Sequence, residues 1–537
     1  MTTKAGRRDL FCFFVQLAIV VFLFSRLPRD GVIWWSDASR NALNGAFVLD
    51  FIRALPFRDP TGFAYDYYRQ WPALTILFYP PLFYVALAAA YAVLGVSEAS
   101  ADLVACLFLL ALGWGACRLS QRWLAPLPAL AAAVLTIGIP EMAFWGQQPM
   151  LDVPSYALLT WSAVWLMRHI DSRRQRDLLL AMLFLVLAVY TKYNSAYFAA
   201  GLVAALLAAR GWRVLLDRNL WWAAAFGIVL LIPLVAIFFA FGRYNLDQAA
   251  AVTTIPVPRW SFDRWTYYAA IIPTSVTCPV FALSLLYLAA VLAWRRFRLP
   301  WPDALLLIAS TGAGYAFYSL VAVREPRYDL FLVFPIAVTA ILFVDRALAR
   351  FAWRWTVSVG VAGAILLTGQ ITRPAPYVRG MREVADMTGG QASRDCNIGF
   401  WGRWDGSFIF DLRAYEDRPD LGVVRLDKLL VGDLVISFEL GAKDNGLNRN
   451  EILDALRRYH VQYVVFQSGF HDDLPSVQVL TALLDSDMFE AIGSIPITAN
   501  YRFSSLTRLT LYRLREQLPP GRVAPPMQIK MIGKSLG

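Results

Sequence analysis

Charge is what this chain has least of: 17% of its 537 residues are Asp, Glu, Lys or Arg, against 58% hydrophobic and 14% aromatic. Long stretches carry no charge at all, which excludes an ordinary soluble enzyme and predicts a polytopic membrane protein. Histidine is nearly missing. His169, His460 and His471 are far apart in the chain, so no histidine-rich zinc site can be assembled. Four of the five cysteines, Cys12, Cys106, Cys117 and Cys278, fall in apolar segments, and Cys396 stands alone in the polar part, which leaves no intramolecular disulfide framework. There is no Walker-type glycine loop for ATP-driven transport, no serine nucleophile elbow, and no internal repeat or low-complexity block. A small-x-small cleavage site is also lacking after the first apolar run, where Ser25-Arg-Leu-Pro-Arg29 stands instead, so this segment reads as an uncleaved anchor.

What is present is an ordered series of apolar runs. The first, Leu10 to Leu27, has no charge before Arg26 and can span a bilayer core. Further spans are predicted over approximately 101–118, 126–145, 151–169, 178–192, 194–209, 219–241, 266–293, 303–323, 328–345 and 354–372, about eleven crossings in all. The run from Leu74 to Val96 is ambiguous. If it does not cross, inside loops collect Arg118, Arg122, Arg168, Arg173, Arg174, Arg176, Arg210, Arg213, Arg218, Arg295, Arg296, Arg298, Arg346, Arg350 and Arg354, fifteen in all. Outside loops after the first then hold Lys192, Arg243, Arg259, Arg264, Arg324 and Arg327, which is six. Letting 74–96 cross inverts that bias, so it is predicted to be a non-crossing outside element interrupted at Tyr79-Pro80-Pro81. The net charge of +11 is therefore topological rather than a sign of nucleic-acid binding.

Between Trp34 and Ile52 an acid, Asp37, follows the first span, and Leu43, Phe47 and Phe51 recur at helical spacing, as in an amphipathic helix laid on the interface. Trp34, Trp35, Tyr65, Tyr67, Tyr68 and Trp71 in the same outside loop, 28–100, suit anchoring at headgroup level, with ring stacking as the alternative. From about Pro374 the composition becomes mixed. Asn448-x-x-Glu451 reads as a capping box, Ile452, Leu453, Leu456 and Tyr459 as one helical face, and Val461–Phe466, Leu434–Leu440 and Leu506–Leu514 as strands. The expected organisation is a transmembrane unit, 1–373, a small extracytoplasmic α/β domain, 374–518, and a disordered tail, 519–537, rich in proline.

On this topology Asp37, Asp152, Lys192 and Arg327 converge at the outer ends of spans. Asp152 opens the fourth span, where helix capping alone would also explain it; Lys192 could snorkel. Arg324 and Arg327, in Arg324-Glu-Pro-Arg-Tyr328, lie on the side that basic residues avoid, which points to an anionic partner such as a membrane phosphate. Asp37 with Asp152 could also bind a hard divalent cation.

These residues carry a resemblance. The acid after span one, Tyr79-Pro-Pro-Leu82, Met150-Leu-Asp-Val-Pro154, Thr191-Lys-Tyr193 and Arg327-Tyr-x-Leu330 leading to Pro335 resemble the GT-C glycosyltransferases, family 39 type, which includes protein O-mannosyltransferases and the aminoarabinose transferase of lipid A. The resemblance covers about residues 10–372. It implies a sugar donor on a polyprenyl phosphate and inverting transfer at the extracytoplasmic face. The expected protein is a bacterial-type inner-membrane enzyme with a glycan, lipid or protein acceptor and no cofactor beyond the divalent cation that Asp37 with Asp152 leaves open. Family members commonly have Asp-Glu where this chain has Asp37-Ala38, and His or Lys where it has Tyr79. In that setting Asp37 is the expected base, with Asp152, Lys192, Arg324, Arg327, Tyr328 and Tyr79 as substrate-binding residues. The competing reading is a non-enzymatic flippase or transporter of lipid-linked sugars. A transporter favours charges near the midplane and two related halves; here the charges gather at one face.

Overall fold

The computed structural model describes residues 2–241, 258, 260–321, 324–416, 418–434, 442–500, 507–523, 525, 527–529 and 534–536. Helix α1, Thr2–Ser25, stops just before Pro28, which disfavours helical backbone at the residue ahead of it. The outside segment then forms α2 (Ser36–Ala54), α3 (Pro60–Gln70) and α4 (Leu82–Leu94). The bundle continues with α5 (Glu98–Ser120), α6 (Pro126–Gly138), α7 (Pro140–Gly146), α8 (Asp152–Ser172), α9 (Gln175–Thr191), α10 (Ala199–Arg210), α11 (Arg218–Phe241), α12 (Phe262–Ser275), α13 (Cys278–Ala293), α14 (Trp301–Leu320), α15 (Val333–Ala347) and α16 (Arg354–Thr372). Among the described residues five helices are long and apolar enough to cross a membrane, seven if each of two bent pairs counts as one span. This is a multi-pass membrane protein, and each predicted span coincides with a helix or a helix pair.

Two spans predicted as continuous are broken. The 126–145 run bends by 65° between α6 and α7, where Pro140 forces Ile139 out of helical backbone. The 266–293 run bends by 115° between α12 and α13, ahead of Pro279, with Thr277 at a φ of 72°. Hydropathy passes through both breaks because they cost no apolar residues. The 74–96 run contributes α4, whose 13 residues reach only about 20 Å.

Helix α2 corrects the sequence reading. It does not lie on lipid with one wet face: Leu43 and Phe47 are buried, but so are Ala38, Ser39, Asn41, Asn44, Gly45 and Leu49. The helix is sandwiched between α4 and the C-terminal domain. Its buried amides are satisfied, Asn41 donating to the Pro149 carbonyl at 2.9 Å and Asn44 to Thr75 Oγ1 at 3.0 Å. Trp34, Tyr67 and Trp71 are likewise buried.

The C-terminal domain has a five-stranded sheet of β1 (Asn397–Trp401), β2 (Gly422–Arg425), β3 (Val461–Gln467), β4 (Phe489–Pro496) and β5 (Arg508–Leu514) in the order β2-β1-β3-β5-β4. The first three strands run parallel; β5 is antiparallel to both β3 and β4. Helices α17 (Met381–Gln391) and α18 (Asp405–Tyr415) cover the face toward the membrane unit, and α20 (Arg449–Arg458) and α21 (Pro475–Leu484) the other, with a one-turn α19 (Asp427–Leu430) between strands. The capping box forms as the sequence predicts: Asn448 accepts from Glu451 N while Glu451 accepts from Asn448 N at 2.8 Å. Of the strand predicted at Leu434–Leu440, only Leu434 lies within the described residues, at the end of a short strand. Part of the tail, 519–537, lies outside the described residues. Gly521 N donates to the Asp395 carbonyl, Arg522 to the Pro419 carbonyl, and Met527–Ile529 pairs with Lys534–Leu536. The apolar core runs without a break from Leu43 and Tyr84 through Phe408 to Phe400 and Val465, so the two units share a core.

Candidate functional site at the mouth of the bundle

Four charged side chains predicted from the sequence meet as two ion pairs. Asp37, in the first turn of α2, accepts from Arg327 Nη2 at 2.7 Å, and Asp152, in the first turn of α8, accepts from Lys192 Nζ at 2.5 Å. The second pair is almost fully enclosed, its side chains 6% and 3% exposed; Asp37 is the open member of the site at 36%.

Both cations stand where helical backbone is interrupted. Lys192 is extended, between the end of α9 and a 3₁₀ turn at Tyr193–Phe198, and Arg327 lies in the 3₁₀ turn Pro326–Leu332 that leads into α15. Such breaks turn a side chain across the bundle instead of along a helix face. Tyr328 joins the pairs: the Lys192 ammonium lies 4.8 Å from its ring centre and the Arg327 guanidinium 5.4 Å. Trp35 and Trp145 flank the same guanidinium at 6.0 and 5.7 Å, an aromatic enclosure that holds a cation while leaving its hydrogen-bonding edges available. Arg327 Nε is buried and, among the described residues, has no hydrogen-bond partner. Trp145 is itself fixed, donating to Glu141 at 2.8 Å, and Glu141 accepts from Arg373 at 2.6 Å.

Burial alone would raise the Asp37 carboxyl, but the Arg327 guanidinium, aided by the charges of Arg40 and Lys192, holds it below the usual carboxylate range. Tyr79 shares this environment. Burial, together with the neighbouring Tyr328 and Asp37, pushes its phenol well above the ordinary value, so it stays a neutral donor and acceptor. Arg324 turns away from the cluster: it donates to the Asp263 carbonyl at 3.3 Å and lies over Tyr267 at 5.1 Å, both on α12. Asp152 is thus more than a helix cap, and Lys192 does not snorkel. The two carboxylates are each neutralised by a basic partner, which disfavours the cation site that Asp37 with Asp152 suggested. Among the described residues no group of three or more His, Cys, Asp or Glu converges to hold a metal. Deeper in the bundle, Leu112, Met142, Tyr156, Leu159, Leu330 and Phe334 line an apolar cavity of about 50 Å³.

Sequence reasoning missed Trp145, Glu141 and Arg40 as members of this neighbourhood. The signal available was weak, since a tryptophan and a glutamate near a span end have many ordinary explanations.

Residues 79–238, which include Tyr79, Asp152 and Lys192, match the family described as dolichyl-phosphate-mannose-protein mannosyltransferase. No curated protein sequence matches the chain. The structure superposes on ArnT from Cupriavidus metallidurans bound to undecaprenyl phosphate with a TM-score of 0.62 and 13% identity, over 95% of this chain and 99% of that one. The apo form of ArnT gives the same TM-score at 14% identity, over 96% and 100%. The archaeal oligosaccharyltransferase AglB from Archaeoglobus fulgidus, in complex with an inhibitory peptide and a dolichol-phosphate, matches with a TM-score of 0.51 and 12% identity, over 86% of this chain and 69% of that one. The likeness to ArnT extends over nearly the whole of both chains, and the chain has the fold of the GT-C membrane glycosyltransferases.

Proposed function

We propose that the chain is an inverting glycosyltransferase that moves a sugar from a polyprenyl-phosphate donor to an acceptor hydroxyl at the extracytoplasmic face of a bacterial inner membrane. The observation that carries the proposal is the Asp37–Arg327 pair, a carboxylate and a guanidinium 2.7 Å apart at the mouth of a GT-C bundle. Undecaprenyl phosphate in ArnT and dolichol-phosphate in AglB support a lipid phosphate as the donor's carrier.

The acceptor oxygen attacks the anomeric carbon as the bond from that carbon to the phosphate oxygen breaks. The hydroxyl proton passes to Asp37, and the electron pair leaves with the phosphate. One carboxylate suffices, because a phosphate leaving group needs little protonation. Arg327 plays two parts in sequence. In the free protein it neutralises Asp37 and lowers its basicity; when the donor arrives, the phosphate competes for the guanidinium, helped by an Nε that no described residue engages, and Asp37 is released as a stronger base. Lys192, held by Asp152, adds a second fixed positive charge where the phosphate develops its own, and Tyr79 and Tyr328 border the sugar. The apolar cavity below would receive the start of the prenyl chain. The acceptor, whether glycan, lipid or protein, is reached from the side of the C-terminal domain.

Asp37→Asn tests the reading, because it keeps shape and hydrogen-bonding reach but takes no proton at neutral pH. Transfer should fall by roughly 100-fold or more, with expression and undecaprenyl-phosphate binding near wild type. Wild-type turnover in Asp37→Asn would mean that the base lies elsewhere or that the protein moves lipid without transferring sugar.

A further inference from the structure

We propose that Asp405, on the C-terminal domain, is a positioning residue for the reaction: through Arg40 it holds the first turn of α2, and with it Asp37, in the orientation that transfer requires. The inference rests on the reading of Asp37 as the base.

Arg40 lies three residues after Asp37, one helical turn along α2. Its Nη1 donates to the Ser36 carbonyl at 2.9 Å, directly before Asp37, and its Nη2 reaches both oxygens of Asp405, at 3.3 and 3.0 Å. Arg40 therefore bridges the backbone next to the base and a carboxylate from a different domain. The neighbours of Asp405 reinforce this contact. A Cβ on Gly406 would lie 2.4 Å from Ser39 Oγ, so glycine permits the close approach of α18 to α2, and Ser407 Oγ donates to the Ile33 carbonyl at 2.7 Å. Three consecutive residues of the domain thus grip the 33–40 segment.

The remainder of α2 is held by other means. Asn41 and Asn44 bond to Pro149 and Thr75, and Asp50 accepts from Arg413 at 2.5 Å and from Tyr67 at 3.1 Å. Loss of Asp405 should therefore loosen the turn that carries Asp37 without undocking the helix. Asp405 also accepts from Arg425 at 3.1 Å, and Arg425 is shared with Asp427 at 2.8 Å. Removing the Asp405 charge leaves Arg40 facing Arg425 with no carboxylate between them. Repulsion then drives Arg40 from its place instead of merely releasing it. A displacement of about 1 Å at a base is enough to cost on the order of 100-fold in rate.

The test uses the full-length purified protein, undecaprenyl-phosphate hexoses and pentoses as donors, and native membrane extract as the acceptor source, reading released undecaprenyl phosphate. Asp405→Asn should lower kcat roughly 10- to 100-fold and also lower the thermal midpoint, since two partly buried guanidiniums lose their shared carboxylate, while KM for the donor stays near wild type. Asp405→Glu should restore part of kcat. Asp427→Asn, which spares the Arg40 contact, should leave kcat within about threefold. If Asp405→Asn does not fold, Arg40→Lys carries the same expectation, since a lysine cannot reach the Ser36 carbonyl and Asp405 together. Unchanged kcat in Asp405→Asn, or donor KM rising in step with the fall in kcat, overturns the inference. Asp37→Asn in the same assay separates the two readings. If it abolishes transfer while Asp405→Asn leaves kcat unchanged, positioning alone fails; if it does not abolish transfer, the base assignment fails first.

Discussion

At the residue scale, Arg327 carries the strongest expectation. Its guanidinium touches Asp37 at one edge and lies among Trp35, Trp145 and Tyr328, while its Nε stays unused. Arg327→Ala should weaken undecaprenyl-phosphate binding at least 10-fold, and Arg327→Lys should recover only part, because a point charge lacks the planar fork that grips two oxygens. The flanking tryptophans make intrinsic fluorescence a direct probe of that binding, and equal affinity in all three proteins would remove Arg327 from the site. Asp152 and Lys192 behave differently, because their pair is buried. Asp152→Ala should cost about 3–5 kcal/mol by leaving an enclosed ammonium without its counter-ion, whereas Asp152→Ala with Lys192→Met should recover much of that loss in thermal unfolding. Asp37 sets the pH response. Its carboxyl titrates below the usual range, so its contribution to stability is complete above the ordinary carboxylate value, near 4, and is lost as pH falls through its own lower value. The acid limb of kcat/KM, which reports the free enzyme, should therefore lie below about pH 4, and the limb of kcat should move upward once donor phosphate occupies Arg327. Coincident limbs would show that the phosphate does not take the guanidinium from Asp37.

At the scale of elements, the sequence was most legible where physics is local. The capping box at Asn448 and Glu451 and the strand at Val461 each depend on a few adjacent residues, and each stands where predicted. Legibility failed where a second layer decides. The Leu43, Phe47 and Phe51 spacing reads as a helix with one apolar face, and nothing within nineteen residues announces that a domain 365 residues away at Asp405 covers the other side. The two bent spans had visible prolines, yet their apolar content outweighed them in a window average. In the candidate site, charged residues were conspicuous because charge is rare in an apolar chain, whereas Trp145 and Arg40 only acquire meaning from partners on other elements. The tight stacking of α2 on α4 gives an element-scale prediction. Gly45 has no Cβ, and one would sit 2.5 Å from Leu87 Cβ, so Gly45→Val forces the two helices apart. Overpacking of this kind costs about 1–3 kcal/mol, and thermal unfolding of the purified protein should register it together with reduced transfer, since α2 carries Asp37.

For the whole molecule, contact and parity constrain the proposed topology together. Gly31 accepts from Val378 N, Ile33 from Ser407 and Arg40 pairs with Asp405, so the loop after α1 and the C-terminal domain must occupy the same side of the membrane. The chain between them must then cross an even number of times. On the proposed topology, with α6 and α7 and α12 and α13 each taken as one span, the described segments from α5 to α16 would make ten crossings; if the 115° bend made α12 and α13 a re-entrant hairpin, the number would be odd and those contacts impossible. Parity is silent about which side. We propose the side from the basic residues, fifteen arginines in the loops on one face against six Lys and Arg in the loops after the first on the other, with the N-terminus in the cytoplasm and the domain outside. An alkaline phosphatase fused after Gly380 should therefore be active and a fluorescent protein at the same point dark, with the reverse result for fusions after Arg298. Fusions after Asp59, in the first loop, must agree with those after Gly380. If both loop and domain report the cytoplasm, the orientation is inverted and the contacts survive; if they disagree with each other, the crossing count fails, and with it the convergence of Asp37 and Arg327 on one membrane face.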